Sequence, residues 1–271
     1  MYCAQKLVFT PLYTEPMENL FDVSGKVVLV TGGSRGIGEM IATGFINAGA
    51  KVYISARKAQ ACDELAAELS KIGTCISIPA DLSSEEECKR LAEEIAKRED
   101  HLDVLVNNAG ATWGAPMAET DEASFERVLS INVKGVFHLS KFLRPLLEKA
   151  SKPGSPARII NIGSIDGIHV PIMETFAYSA SKAAVHQMTR HLAKAMAPNV
   201  TVNAIAPGPF ESKMMKATLE AFGDQIAGNA PMKRIGQPSD MAGTAIFLSS
   251  KASSYITGAI IPVDGGIATT A

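Results

Sequence analysis

The chain has 271 residues, 46% hydrophobic and 20% charged, a balance that builds a sizeable core and excludes disorder, collagen and coiled coil. Lys plus Arg total 26 against 28 Asp plus Glu, so the net charge is −2 and no basic stripe argues for a nucleic-acid partner. No apolar run reaches the roughly 18–20 residues that span a bilayer, and MYCAQKLVFTPLYTEPMENL lacks a secretory or mitochondrial pattern, so a cytoplasmic protein is expected.

Residues 1 to about 22 carry two prolines, two tyrosines and no hydrophobic period, and read as an extension ahead of a domain over 23–271. KVVLV (26–30) is a short β-branched run of the kind that forms a strand buried on both faces. A glycine-rich turn and an amphipathic stretch through Ala48 follow, stopped by Gly49. KVYIS (51–55) is the second strand, a helix covers 58–71 and ends at Gly73, and CISIPAD (75–81) is the third strand. Ser83 or Ser84 caps a charged helix to about Arg98, with glutamates in its first turn. DVLVNNAG (103–110) is the fourth strand and leads into a long helix from Ser124 to Lys149. ARIINIGS (157–164) is the fifth, followed by helix 176–197, and NVTVNAIAP (199–207) is the sixth. A loop-rich, methionine-bearing segment covers 208–238, then a helix from 239 to about 249, and AIIPVD (259–264) is the last strand. This alternation predicts one α/β domain, a Rossmann-type doubly wound parallel sheet of about seven strands with helices on both faces.

Cys3, Cys62, Cys75 and Cys88 form no CxxC and have no histidine at ligand spacing, so reduced thiols and no metal are expected. The five histidines read as structural or exposed, with His169 a lesser candidate for lining a pocket. Thr31-Gly32-Gly33-Ser34-Arg35-Gly36-Ile37-Gly38 lies between the first strand and the first helix. Glycines there permit a tight turn and bring backbone amides to a pyrophosphate at the helix start. The spacing is GxxxGxG, not the GxGxxG of the common dinucleotide fingerprint.

TGxxxGxG, the NNAG at 107–110, Tyr178-x-x-x-Lys182 and Pro207-Gly208 occur in one order. On these motifs the chain resembles the short-chain dehydrogenase/reductase family in its compact one-domain form, over about residues 23–271. Within it the chain is most similar to the 3-oxoacyl-carrier-protein reductases, including the type associated with rhamnolipid synthesis, on GSRGIGEMIA and NAIAPGPFESKM.

Tyr178 and Lys182, four apart on a helix, share one face. A free tyrosine is a poor acid–base at neutral pH, and an ammonium one turn away favours its phenolate. Ser164 ends the fifth strand, where a doubly wound sheet places ligands. The resemblance makes Ser164 the residue that hydrogen-bonds the substrate carbonyl, Tyr178 its proton donor, and Lys182 the residue that tunes Tyr178 and holds the nicotinamide ribose. It makes Asn132, a polar residue on an apolar helix face, a helix-opening relay that holds a water toward Lys182. Ser164 and Tyr178 stand fourteen apart, one more than in close carrier-protein reductases, and the extra residue falls in 165–176.

Cofactor contacts implied by the resemblance are Gly32, Ser34, Arg35, Gly36, Ile37 and Gly38 in the glycine loop, with Tyr178 and Lys182. Asp81 would meet the adenine with Leu82 beside it; Asn108, Ala109 and Gly110 would line the ribose, Ile131 would pack nearby, and Pro207 and Gly208 would shape the nicotinamide end. No carboxylate follows the second strand until Asp63, whereas Arg57 follows it directly. An acid at that point would bond the ribose 2′-hydroxyl of NAD. Arg35 and Arg57 together bracket a 2′-phosphate instead, so the expected cofactor is NADP(H).

The implied reaction is hydride transfer to a ketone, a 3-oxoacyl thioester in the carrier-protein reading. A secondary-alcohol or hydroxysteroid dehydrogenase is the alternative. A non-catalytic nucleotide sensor on the same fold is disfavoured because all four active-site residues are present. Trp113, Met173, Phe210, Met214 and Met215 form either an apolar cleft or ordinary core. Helices 124–149 and 176–197 are long and carry apolar positions on more than one face (Val128, Val136 and Leu139; Val185, Leu192 and Met196), and the resemblance implies that they pair across a two-fold axis in a homotetramer or homodimer.

Overall fold

Short, mostly β-branched runs give seven strands: β1 (Val27–Thr31), β2 (Lys51–Ser55), β3 (Cys75–Ser77), β4 (Val104–Asn107), β5 (Ala157–Ile162), β6 (Val200–Pro207) and β7 (Ile260–Val263). They pair in parallel in the order β3-β2-β1-β4-β5-β6-β7. This is a computed structural model, and it describes residues 19–171, 173–212 and 215–270. The expected extension over 1–22 lies outside these up to residue 18, as do Cys3 and Met214.

Nine α-helices occur among the described residues: α1 (Gly36–Asn47), α2 (Ala59–Leu69), α3 (Glu85–Ala96), α4 (Glu122–Leu129), α5 (Val136–Ala150), α6 (Phe176–Met196), α7 (Lys216–Asn229), α8 (Pro238–Ser249) and α9 (Ile267–Thr270). The side-chain period of two along β1 separates two cores. Val28 and Val30 join Ile41, Phe45, Met241 and Leu248 under α1 and α8. Val27 and Leu29 join Leu91, Ile95, Leu139, Leu143 and Met196 under α3, α5 and α6. Burial on both faces explains why the strands are continuous apolar runs.

Several elements differ from the sequence reading. Between α4 and α5 a six-residue π-helix, Ser130–Gly135, interrupts the expected single helix. β3 ends at Ser77, ahead of Pro79, which has no N–H to donate, and β4 ends at Asn107, so Asn108–Gly110 is loop. Ser84, not Ser83, caps α3, its Oγ accepting from Glu87 N at 3.3 Å. The segment 208–238 contains the fourteen-residue α7, and α9 follows β7.

Cys62, Cys75 and Cys88 are buried thiols; burial pushes Cys75 up to about 11 and Cys88 up to about 12, which keeps them protonated and inert. Among the described residues no helix is long and apolar enough to cross a membrane, and no cluster of ligands could hold a metal ion.

Candidate active site

The switch between β1 and β4, where the strand order reverses, is sewn by side chains. Thr31 Oγ1 donates to Val106 O (3.2 Å) and accepts from Asn108 N (2.9 Å) and Ala109 N (3.0 Å). Asn108 Nδ2 donates back to Thr31 O (2.8 Å) and Gly32 O (3.2 Å). These bonds hold the glycine loop against the Asn108–Gly110 loop at the crevice where doubly wound sheets take ligands. Gly36 has φ +56°, a left-handed conformation that suits glycine. A Cβ at Gly38 would run into the Gly32 carbonyl and the Asn108 amide.

The amino end of α1, like that of α2, carries no side-chain cap. Ser84 and Asp121 cap α3 and α4, each accepting a backbone N–H of its helix. Arg35, at the same position of α1, makes no side-chain cap bond. The first amides of α1 are therefore left for an anion, as a dinucleotide pyrophosphate requires. Around this end Ser34 is half-buried and Ile37 packs on the core below. Arg35 and Arg57 are exposed, make no ion pair among the described residues, and flank the carboxyl ends of the neighbouring strands β1 and β2, in register at Thr31 and Ser55.

Asp81 accepts from Ser83 N (3.2 Å) and Ser83 Oγ (2.8 Å) through Oδ1, so one oxygen closes a turn and the other accepts no bond among the described residues. Leu82 is buried beneath it, and Ile131 lies in the π-helix. Pro207 ends β6; Gly208 N donates to Val263 O (3.0 Å), and a Cβ there would lie 2.7 Å from Asp264 Cβ. The glycine loop, Arg57, Asp81, Leu82, Asn108–Gly110, Pro207 and Gly208 thus all lie at or just after the carboxyl ends of the strands.

Ser164 follows β5, Tyr178 and Lys182 lie in the first two turns of α6, and the three converge. Ser164 Oγ accepts from Asp166 N (3.1 Å), which leaves its hydroxyl proton to donate. Lys182 Nζ sits 5.4 Å from the Tyr178 ring centroid and donates to Ile162 O at 2.7 Å. Burial pushes the Tyr178 phenol up to about 12; the Ser164 hydrogen bond opposes the rise and the Asp166 charge adds to it. The expected lowering by Lys182 is absent. Its ammonium is spent on the Ile162 carbonyl, and burial brings Lys182 itself down to about 8.

Asn132 is buried within the π-helix, as its polarity on an apolar face suggested. Its Oδ1 accepts from Ala111 N (2.8 Å), and its Nδ2 donates to Ala111 O (2.9 Å) and Ser181 Oγ (2.9 Å). The side chain therefore pins the loop after β4 to α6.

Sequence reasoning missed three features here. Asn107 Nδ2 donates to Asn161 Oδ1 (2.9 Å) and Ser140 Oγ (3.1 Å), and Asn161 Nδ2 donates to Thr189 Oγ1 (2.9 Å), tying β4, β5, α5 and α6 beneath the site. The two asparagines are in register at the strand ends, a signal readable in VNNAG and INIGS. His186 is buried with its ring against Gly163 and Gly167, and burial pushes it down to about 4. Asp166 is half-buried beside Tyr178 and Lys182. His169 holds Nδ1 against Val170 O (3.0 Å).

The rim is apolar. Trp113 and Met173 are exposed, Met215 is half-buried, and Val170 is 90% exposed in the loop after Ser164. Trp113 lies under the Arg127 guanidinium at 4.8 Å. Phe210, in contrast, is core, its ring against Gly236.

The family described as enoyl-(acyl carrier protein) reductase matches residues 32–268. The chain is 46% identical over 257 residues to a rhamnolipids biosynthesis 3-oxoacyl-[acyl-carrier-protein] reductase of Pseudomonas aeruginosa, covering 92% of this chain and 99% of the relative. It is 38% identical to a galactitol 2-dehydrogenase (L-tagatose-forming) of Cereibacter sphaeroides, over 91% of this chain and 96% of that one. Its fold matches the Pseudomonas aeruginosa RhlG/NADP active-site complex with a TM-score of 0.89 and 45% identity, covering 93% of this chain and 100% of the other.

Proposed function

The chain belongs to the short-chain dehydrogenase/reductase family, and we propose that it reduces a ketone to a secondary alcohol with hydride from NADPH, a 3-oxoacyl thioester being the substrate class its relatives point to. The observation that carries this reading is the convergence of Ser164, Tyr178 and Lys182 at the end of β5, across the switch point from the uncapped start of α1.

The glycine cradle and the free α1 amides fit a dinucleotide. Gly32–Gly38, Asp81, Asn108–Gly110, Pro207 and Gly208 would hold it, and Arg35 with Arg57 would clamp a 2′-phosphate by charge-assisted hydrogen bonds. When bound, the cofactor supplies the hydride for the carbonyl carbon. The Ser164 hydroxyl donates to the carbonyl oxygen. Tyr178, held near 12, is fully protonated at neutral pH and hands its proton to that oxygen as negative charge develops. Lys182, held by Ile162 O with its ammonium 5.4 Å from the centre of the Tyr178 ring, would hold the nicotinamide ribose beside that ring. Because the Asn132 side chain is committed to Ala111 and Ser181, it is the backbone carbonyls of the π-helix that would accept from the water bringing the replacement proton toward Lys182. A phenol poised to give a proton suits reduction better than the alcohol-oxidising alternative. The apolar side chains that the segments after β4, β5 and β6 expose suit a long-chain substrate, and the working unit is a homotetramer.

Tyr178→Phe keeps the ring and removes the proton donor. Its turnover with NADPH should fall by at least about a hundredfold while NADPH affinity, read by fluorescence titration, stays within about twofold. Lys182→Ala should lose both. Near-normal turnover in either variant overturns the assignment. Arg57→Ala should raise the KM for NADPH about ten- to a hundredfold and leave NADH use unchanged.

A further inference from the structure

We propose that Asp166 is a specificity-determining residue of this site: its carboxylate accepts a hydrogen bond from a donor group, hydroxyl or N–H, that the substrate carries near the carbonyl being reduced. The inference rests on the ketone-reductase reading and concerns which ketones that site prefers.

The backbone of Asp166 is fixed from both sides. It lies in the 3₁₀ turn Ile165–Gly167, and its N–H donates to Ser164 Oγ at 3.1 Å. Its carbonyl accepts from Ser179 Oγ at 2.7 Å, next to Tyr178 on α6. Gly167 presses so closely on α6 that a Cβ there would come within 2.7 Å of the Lys182 and Ala183 backbone. His186 fills the hollow beneath Gly163 and Gly167. The turn therefore cannot drift, and the carboxylate stays two residues from Ser164 and beside the proton donor.

That carboxylate is half-buried and accepts no hydrogen bond among the described residues. Asp103 and Asp264, also partly buried, are differently placed: Asp103 accepts from Val27 N at 2.8 Å, and Asp264 accepts from Gly266 N (2.9 Å) and Ala268 N (2.6 Å). A desolvated acceptor without a donor is costly, and the cost is relieved when a ligand brings one. The charged and titratable groups facing Asp166 are His169 from its own loop, and Tyr178 and Lys182 from α6, with His186 beyond them. Lys182 bonds Ile162 O, His169 bonds Val170 O through Nδ1, and His169 Nε2 has no partner among the described residues, so none of the three bonds the carboxylate. A carboxylate accepts and does not donate. It selects a substrate with a hydroxyl or amide N–H and repels one with an acid next to the ketone.

The test uses full-length enzyme with NADPH at one neutral pH and compares the wild type with Asp166→Asn and Asp166→Ala. Two substrate pairs separate the two donor sources. The pair 1-hydroxybutan-2-one and pentan-3-one differs by a hydroxyl in place of a methyl group. N-methyl-3-oxobutanamide and N,N-dimethyl-3-oxobutanamide differ by one N–H, on a nitrogen three bonds from the ketone carbon. In at least one pair the wild type should favour the donor-bearing ketone in kcat/KM by about ten- to a hundredfold, and both variants should lose most of that preference through KM. Thermal melts and NADPH titrations should match the wild type, because the clamps on the turn run through backbone and not through this carboxylate. Equal wild-type rates within both pairs, or a preference that survives both substitutions, overturns the proposal and leaves the ketone-reductase reading standing. Failure of the wild type to reduce any of the four compounds overturns both.

Discussion

His186 stands one helical turn beyond Lys182, and its ring occupies the space that two side-chain-free residues, Gly163 and Gly167, leave above α6. Burial holds it near 4, against an ordinary value of 6.5, with Lys182 and Arg190 acting in the same direction and a Gly167 backbone bond opposing. Between those two values the unfolded chain binds a proton that the folded chain refuses, so stability rises with pH across the window and is lost as pH falls from about 6.5 to 4. The full effect is on the order of 3 kcal/mol. Urea denaturation at stepped pH should show this slope in the wild type and its loss in His186→Gln; an unchanged slope in the variant refutes the assignment. Nothing in the sequence marks His186 or Asp166, because what makes them matter is contact with residues on other elements. Tyr178, Lys182 and Ser164 are legible because their chemistry is tied to spacing and to a strand end. Even so, the direction of the Tyr178 shift was not legible: it depends on burial and on where Lys182 Nζ points.

At the scale of elements, strands and long helices follow from apolar period, while exceptions to period are what the sequence hides. α7 does not show in the sequence because none of its described side chains is buried, so it leaves no apolar stripe, and Gly223 and Gly228 interrupt its pattern. The π-helix was half legible, through Asn132 alone. Its position is set by three bonds from that side chain to Ala111 and Ser181. Asn132→Ala leaves buried partners unsatisfied and removes the restraint that keeps the helix open. It should cost about 3 kcal/mol in chemical denaturation. Turnover should also fall more than tenfold, with the loss growing where proton resupply limits the rate. A variant as stable and as active as the wild type would show that the helix opens without this side chain.

At the scale of the molecule, the faces available for pairing are not the ones the sequence suggested. Val128, Val136, Leu139, Val185 and Met196 all lie in the cores of the single chain, at most 6% exposed, and Leu192 is partly buried. Helical period reveals an apolar stripe but not which partner covers it. What α5 does present outward is Phe137, 45% exposed, with the His138 ring 5.8 Å away and Phe142 stacked on that histidine at 6.4 Å. An exposed phenylalanine backed by partly buried aromatic rings on a long helix is the kind of feature that marks association, and in a two-fold pairing each residue near the axis meets its own copy. A single charge placed there is repelled by its twin as well as desolvated. Light scattering at micromolar concentration should therefore give the wild type a mass several times 28.6 kDa, four times for the proposed tetramer. Phe137→Glu should dissociate the α5 interface to half that mass or less while keeping the melting transition of a folded chain. A monomeric wild type defeats the tetramer, and an unchanged assembly in Phe137→Glu defeats the placement of the interface on α5.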